Sequence, residues 1–175
     1  TSSTRCPADA TCSEAAGLGD AAAVITGYLP SADHVRLAAS LVRRARAARP
    51  DVPYFCDPVL GDSPGGLYVP RPVAEAVGEA LVPLATHLKP NAFELEFLTG
   101  RPASTPRDAA SAARSLGVSA VLASSVPAGE GLLANVLVTP HEATFVTVPY
   151  EAKAPHGTGD LLTALFAGHL DRKST

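Results

Sequence analysis

Apolar residues along this chain follow two alternating rhythms: short unbroken runs, and stripes that return every three or four positions. Short runs bounded by turn residues read as buried strands, and the stripes read as helices with one face turned inward. AAAVITGY, closing on Gly27-Tyr28, PYFC at residues 53–56 and HLK at 87–89 are of the first kind. ADHVRLAASLVRRARAA is of the second, with Ser31 as its N-cap and Pro50 as its stop. A further helical pattern runs from Val73 to Val82. Asn91 is placed to cap AFELEFL, which halts at Gly100, and Thr105-Pro106 opens a helix that runs through Leu116 to Gly117. SAVLAS, LLANVLV and ATFVTVPY are β-rich. Residues 131–138 and 143–149, joined by a Pro-His-Glu turn, predict an antiparallel hairpin. A last stripe, Leu161, Leu162, Leu165, Phe166 and Leu170, predicts a closing helix with one apolar face. Residues 1–20 show little period and read as loop or a poorly ordered segment.

Short apolar strands alternating with amphipathic helices specify an α/β fold. The expectation is a layered, mostly parallel sheet with helices on both faces, in one domain over residues 21–175. In such sheets the ligand crevice lies beyond the carboxyl ends of the strands. Four polar or glycine-rich turns fall at those ends: Gly27-Tyr28, Asp57 to Asp62, Pro90 to Glu94, and Ser124-Ser125. The turn from Gly157 to Asp160 opens a helix and can face the same crevice.

Three of these turns carry chemistry. In PHGTGDLLTALFAGHL two glycines precede a helix, where N–H groups stand unpaired and the dipole is positive. Without side chains at Gly157 and Gly159, His156-Gly157-Thr158-Gly159 can cradle a phosphate, and Asp160 can take a proton from an attacking hydroxyl. Taken alone, GTGD also reads as a tight turn capped by Asp160. In DPVLGDSPGGLYVP, residues 57–70, Asp57 and Asp62 share a loop with three glycines. Carboxylates beside a phosphate usually hold hydrated Mg²⁺ or another cation, and SPGG could fold over a ligand; a solvated surface loop is the plainer alternative. In KPNAFELEFLTG, Asn91 and Glu94 lie three apart on one face, within reach of a metal's water shell or simply as a helix cap.

Composition narrows the classes. The 175 residues are enough for one domain that buries its own core. A net charge of -3 argues against nucleic acid as partner, and the basic cluster Arg43 to Arg49 reads as a solvated helix end. Cys6, Cys12 and Cys56 match neither a disulfide framework nor a zinc pattern, which suits a reducing, cytoplasmic setting. No apolar run is long enough to span a bilayer. No G-x-x-x-x-G-K-[ST] loop is present, and Ser124 and Ser125 lack the glycines of a nucleophile elbow. Methionine is missing throughout, position 1 included, so the expectation is a processed chain or a piece of a longer one.

The combination is more specific than its parts. TGY (26–28), CDPVLGDSPGGLYVP (56–70), KPNAFELEFLTG (89–100), VLASS (121–125) and GTGD (157–160), in that order and spacing, resemble the pyridoxal kinase family of the ribokinase-like superfamily. DPVLGD followed by LYVP marks that branch, while GTGD marks only the superfamily. The resemblance implies transfer of the γ-phosphoryl group of ATP to the 5′-hydroxymethyl of pyridoxal, pyridoxine or pyridoxamine. It implies Asp160 as catalytic base and substrate contact, and Gly157, Thr158 and Gly159 as anion hole. It implies Asp57, Tyr68, Asn91 and Ser124 at the nucleotide, Asp62 and Glu94 near Mg²⁺, and Tyr28 in the vitamin pocket. A monovalent cation and a homodimer are left open. Two positions depart from the pattern: Lys89 where threonine is common, which bears on the monovalent cation, and Ala123 where threonine is usual before Ser124. The resemblance also implies that parts of both ends are lacking. A hydroxymethylpyrimidine kinase is the rival within the superfamily, opposed by LYVP. A catalytically silent nucleotide-binding fragment is the rival outside it.

Overall fold

Strands and helices alternate much as the pattern predicts. The computed structural model describes residues 21–151 and 157–171, so the reading of residues 1–20 and of His156 lies outside the described residues. In chain order come β1 (Val24–Thr26), α1 (Ala32–Ala48), β2 (Tyr54–Cys56), β3 (Gly61–Asp62) and β4 (Gly66–Leu67). Then follow α2 (Arg71–Ala80), a single 3₁₀ turn at Val82–Leu84, β5 (His87–Leu88), α3 (Ala92–Thr99) and α4 (Pro106–Arg114). β6 (Ala120–Pro127), β7 (Leu132–Val138), β8 (Ala143–Pro149) and α5 (Thr158–Asp171) complete the described chain.

The helix ends follow local chemistry. Ser31, Asn91 and Thr105 each accept the backbone N–H three residues on. Asn91 and Glu94 form a reciprocal capping box, and Gly100 closes α3 in the left-handed conformation.

Six strands make one sheet in the order β1-β2-β5-β6-β7-β8. The first four are mutually parallel, and β7 and β8 add antiparallel, as the hairpin pattern predicts. The loop expected at 58–70 contains a small antiparallel ribbon, β3 with β4.

Register fixes the two faces of the sheet, because side chains alternate along each strand. Tyr54 and Cys56, with Leu88, Val121, Ala123, Val136 and Val138, belong to one buried cluster that also takes in residues of α1, α2, α3 and α4. Phe55, His87 and Ala120 are register partners on the opposite face. There Phe55 stacks on His87 at 4.3 Å, and Phe166 of α5 meets both rings edge-on. Helices therefore lie on both faces.

The closing helix differs from the stripe read in the sequence. Its inward residues are Thr163 and Ala167, with Leu162 and Phe166 half-buried, while Leu161 and Leu165 are each 61% exposed. The leucine pattern misplaces the face by part of a turn, because the sheet receives the helix through Phe166 and the hydroxyl of Thr163. Among the described residues no helix is long and apolar enough to cross a membrane.

Candidate active site

Parallel register places the first charged pair. Cys56 and Leu88 are partners on adjacent strands, so Asp57 and Lys89 emerge side by side just past the carboxyl ends of β2 and β5. Their backbones continue the ladder, Asp57 N donating to Thr26 O at 2.9 Å and Lys89 N to Cys56 O at 3.0 Å. Both side chains share the parity of Phe55 and His87, and so turn toward α5. Lys89 Nζ lies 2.8 Å from Asp57 Oδ2, with both side chains buried.

The first turn of α5 closes over this pair. Thr163 Oγ1 donates to Asp57 Oδ2 at 2.6 Å and stands 3.1 Å from the Gly159 carbonyl. Lys89 Nζ donates to the same carbonyl at 3.4 Å. Each glycine has a separate reason for being glycine. Gly157 sits at φ 90°, where a side chain is strained. At Gly159 an added Cβ would lie 3.3 Å from Lys89 Nζ, so the missing side chain makes room for the ammonium. Asp160 is exposed, and its charge reaches Asp57.

A second group braces the loop that carries Asp57 and Asp62. Glu94 Oε1 accepts Leu60 N at 2.8 Å and Gly61 N at 3.5 Å, while Oε2 accepts Asn91 N at 2.8 Å. Asn91 Nδ2 donates to Gly61 O at 2.7 Å. Between these anchors Val59 adopts φ 45°, an unfavourable conformation for a β-branched residue, which the Glu94 contacts hold in place. Burial pushes the Glu94 carboxyl above its ordinary value, and the N–H groups of Asn91 and Leu60 draw it back. Burial likewise raises Asp57, opposed chiefly by Lys89.

Asp62, Asn91, Phe93, Ser104, Ser125 and Tyr150 line part of a cavity of about 580 Å³ beside these groups. The cavity receives Ser125 rather than Ser124. A register shift in β6 separates Ala123 from Val126, Ser125 takes φ 56°, and Ser124 is spent on the strand, its N–H donating to Pro90 O at 2.9 Å. Tyr68 stands at the end of the ribbon; burial first and the neighbouring Asp62 carboxylate second push its hydroxyl up to about 12. Tyr28 is exposed beyond β1. Among the described residues no three histidine, cysteine, aspartate or glutamate side chains are grouped to hold a metal.

The structure thus joins Asp57, Gly159 and Asp160 around Lys89 and Thr163, and joins Asp62 to Asn91 across one cavity. Thr163 was not legible as a site residue. Its one signal is a hydroxyl in the otherwise apolar run 161–168, three residues after Asp160.

Comparison with known proteins gives this arrangement its context. Residues 15–175 match the family model described as phosphomethylpyrimidine kinase. The match begins inside the first twenty residues, which the sequence pattern sets apart. A pyridoxine/pyridoxal/pyridoxamine kinase of Bordetella avium is 38% identical over 154 residues, covering 85% of this chain and 52% of that protein. A pyridoxal kinase of Arabidopsis thaliana is 36% identical over 156 residues, covering 83% and 49%. The solved pyridoxal kinase of Leishmania donovani in complex with ADP and pyridoxamine superposes with a TM-score of 0.80 at 32% identity, covering 91% of this chain and 58% of that one. The chain spans about half the length of the curated relatives it matches.

Proposed function

We propose, from the premise that this chain belongs to the phosphomethylpyrimidine kinase family, that it carries the phosphoryl-transfer site of a vitamin B6 kinase. The donor in this reading is ATP. The acceptor is the 5′-hydroxymethyl group of pyridoxal, pyridoxine or pyridoxamine. The observation that carries the reading is the contact of Lys89 with both Asp57 and the Gly159 carbonyl, which sets the anion-ready turn of α5 at the strand ends.

Phosphoryl transfer needs positioning and neutralised charge more than covalent chemistry. The N–H groups of Thr158, Gly159 and Asp160, which have no partner within the helix, stabilise the charge of the moving phosphoryl group. Asp160, exposed at the lip of that turn, orients the alcohol and takes its proton. Asn91 and Tyr68 contact the nucleotide phosphates, Ser124 and its neighbour Ser125 border the nucleotide, and Tyr28 borders the vitamin. Mg²⁺ suits the oxygen chemistry present; one or two carboxylates with substrate phosphates commonly suffice for it. Asp62, which lines the cavity, is the side chain we assign to it. Glu94 supports the metal by holding the loop, because both its oxygens already accept N–H groups. When bound, the ion neutralises phosphate charge. Lys89 supplies its own charge at the position tied by resemblance to a monovalent cation. Mg²⁺, a cytoplasmic setting and the homodimer alternative rest on the family resemblance.

The test is ATP consumption by the purified chain with Mg²⁺, with and without pyridoxal. Pyridoxal-dependent formation of ADP and the 5′-phosphate is the expected result. The alternative reading is a nucleotide-binding module without turnover, and the same experiment decides between the two. Mg-ATP binding with no response to any B6 vitamer would establish it instead. Phosphorylation of hydroxymethylpyrimidine in preference to pyridoxal would move the chain to that rival.

A further inference from the structure

We infer that Lys89 is a positioning residue for the incoming phosphate, fixing the first turn of α5 and neutralising Asp57 where a polyphosphate must approach. The inference rests on the kinase reading above and concerns a residue to which neither the motifs nor the family resemblance gives a part in phosphate binding.

Three independent features meet at the Lys89 ammonium. It pairs with Asp57 at 2.8 Å, inside the protein. It holds the Gly159 carbonyl at 3.4 Å. It also lies 3.3 Å from where a Cβ at residue 159 would stand, so a side chain there would crowd it. The Gly159–Asp160 peptide is planar and trans, so a carbonyl drawn toward Lys89 turns the Asp160 N–H the opposite way. That N–H is among those at the helix start that have no partner within the helix. One ammonium therefore sets the direction in which the turn offers its donors.

Charge gives the second part of the argument. The charged groups facing Asp57 are Lys89 on β5 and Asp160 on α5, with Glu94 on α3 coupled to it across the loop; Cys56 precedes it and Thr163 donates to it. Among the described residues the buried charged side chains are Asp57, Glu94 and Lys89. Without Lys89, that neighbourhood is a cluster of carboxylates, which repels a nucleotide's phosphates.

The test compares the chain with Lys89→Met, an uncharged side chain of similar length. Amide exchange is read along α5, and ADP affinity is read by calorimetry with Mg²⁺ from mildly acidic to mildly alkaline pH. Exchange at Leu161, whose N–H closes the first turn on Gly157 O, should rise roughly tenfold while β6 and β7 keep their protection. ADP affinity should fall by roughly tenfold or more at alkaline pH, and the deficit should shrink toward acid as the unpaired Asp57 takes up a proton. A role in packing alone would give the same deficit at every pH, and that result overturns the inference. Unchanged exchange at Leu161 overturns it as well. Should Lys89→Met fail to fold, the neutral pair Lys89→Met with Asp57→Asn removes the stranded charge. That variant still lacks the Gly159 contact, so its α5 exchange answers the same question. If the unaltered chain binds no ADP while Lys89→Met loosens α5, the nucleotide reading fails and the positioning of the turn stands.

Discussion

The two faces of the sheet are finished differently. On one, Tyr54, Cys56, Leu88, Val121 and Val136 are sealed in a continuous core with four helices. On the other, Phe55 and His87 lie beneath α5, and the neighbouring apolar positions Ile25, Leu137, Val146 and Val148 are exposed. The sealed face holds the fold. The lightly covered face carries the proposed chemistry, because Asp57 and Lys89 emerge with the parity of Phe55 and His87. In the proposed site, the groups that meet a ligand are carried by the sheet and, among the described residues, covered by one helix, so the first turn of α5 can respond to an anion without disturbing the core.

This contrast can be broken by separating chemistry from stability. Asp160→Asn should reduce vitamin-dependent phosphorylation by roughly 10²- to 10⁴-fold, the usual contribution of a general base. Its unfolding midpoint should stay that of the unaltered chain, because Asp160 is exposed; near-normal turnover would remove the base assignment. Leu88→Ala, on the sealed face, should cost about 2–5 kcal/mol in denaturant unfolding through lost burial and a cavity. A cost near zero would show that the two faces do not differ in this way.

Smaller effects sharpen the comparison. Burial lowers the pKa of His87 from its ordinary 6.5. Below that value the unfolded chain binds a proton that the folded chain resists, so stability from this group is complete above it and declines as pH falls. Asp57 and Glu94, raised by burial, work in the opposite sense through the carboxylate range. Replacing His87 by Phe, which suits the stack with Phe55 and Phe166, should flatten the loss of stability between neutral and mildly acidic pH. Chemical denaturation at the two pH values measures it, and an unchanged slope would exonerate His87. Last, Val146→Ser on the 67% exposed edge should change stability by no more than about 0.5 kcal/mol.

Much of the fold was legible because it is written locally. Ser31, Asn91 and Thr105 cap where their side chains allow, Gly100 stops α3, and the Pro-His-Glu turn makes a hairpin, while α4 ends at Arg114 with Ser115 as its cap, short of the expected Leu116 and Gly117. The candidate site was legible where motifs carry it: Asp57 and the GTGD turn, read as facing one crevice, are linked through Lys89. What the sequence hides depends on register and on neighbours distant along the chain. Lys89 and Asp57 are 32 positions apart and become partners only through the pairing of β2 with β5. Ser125 reaches the cavity only because the β6 ladder slips, and Leu161 and Leu165 are outside because Phe166 and Thr163 fit the sheet better.

Cys56 lies one residue before Asp57 on the sealed face, 1% exposed, its thiol pushed by burial up to about 11. A protonated, inaccessible sulfur is inert toward alkylating reagents until its strand opens. Its labelling rate, followed by peptide mass, is therefore a built-in stopwatch for the breathing of β2, and a bound nucleotide that steadies the strand end should slow the clock.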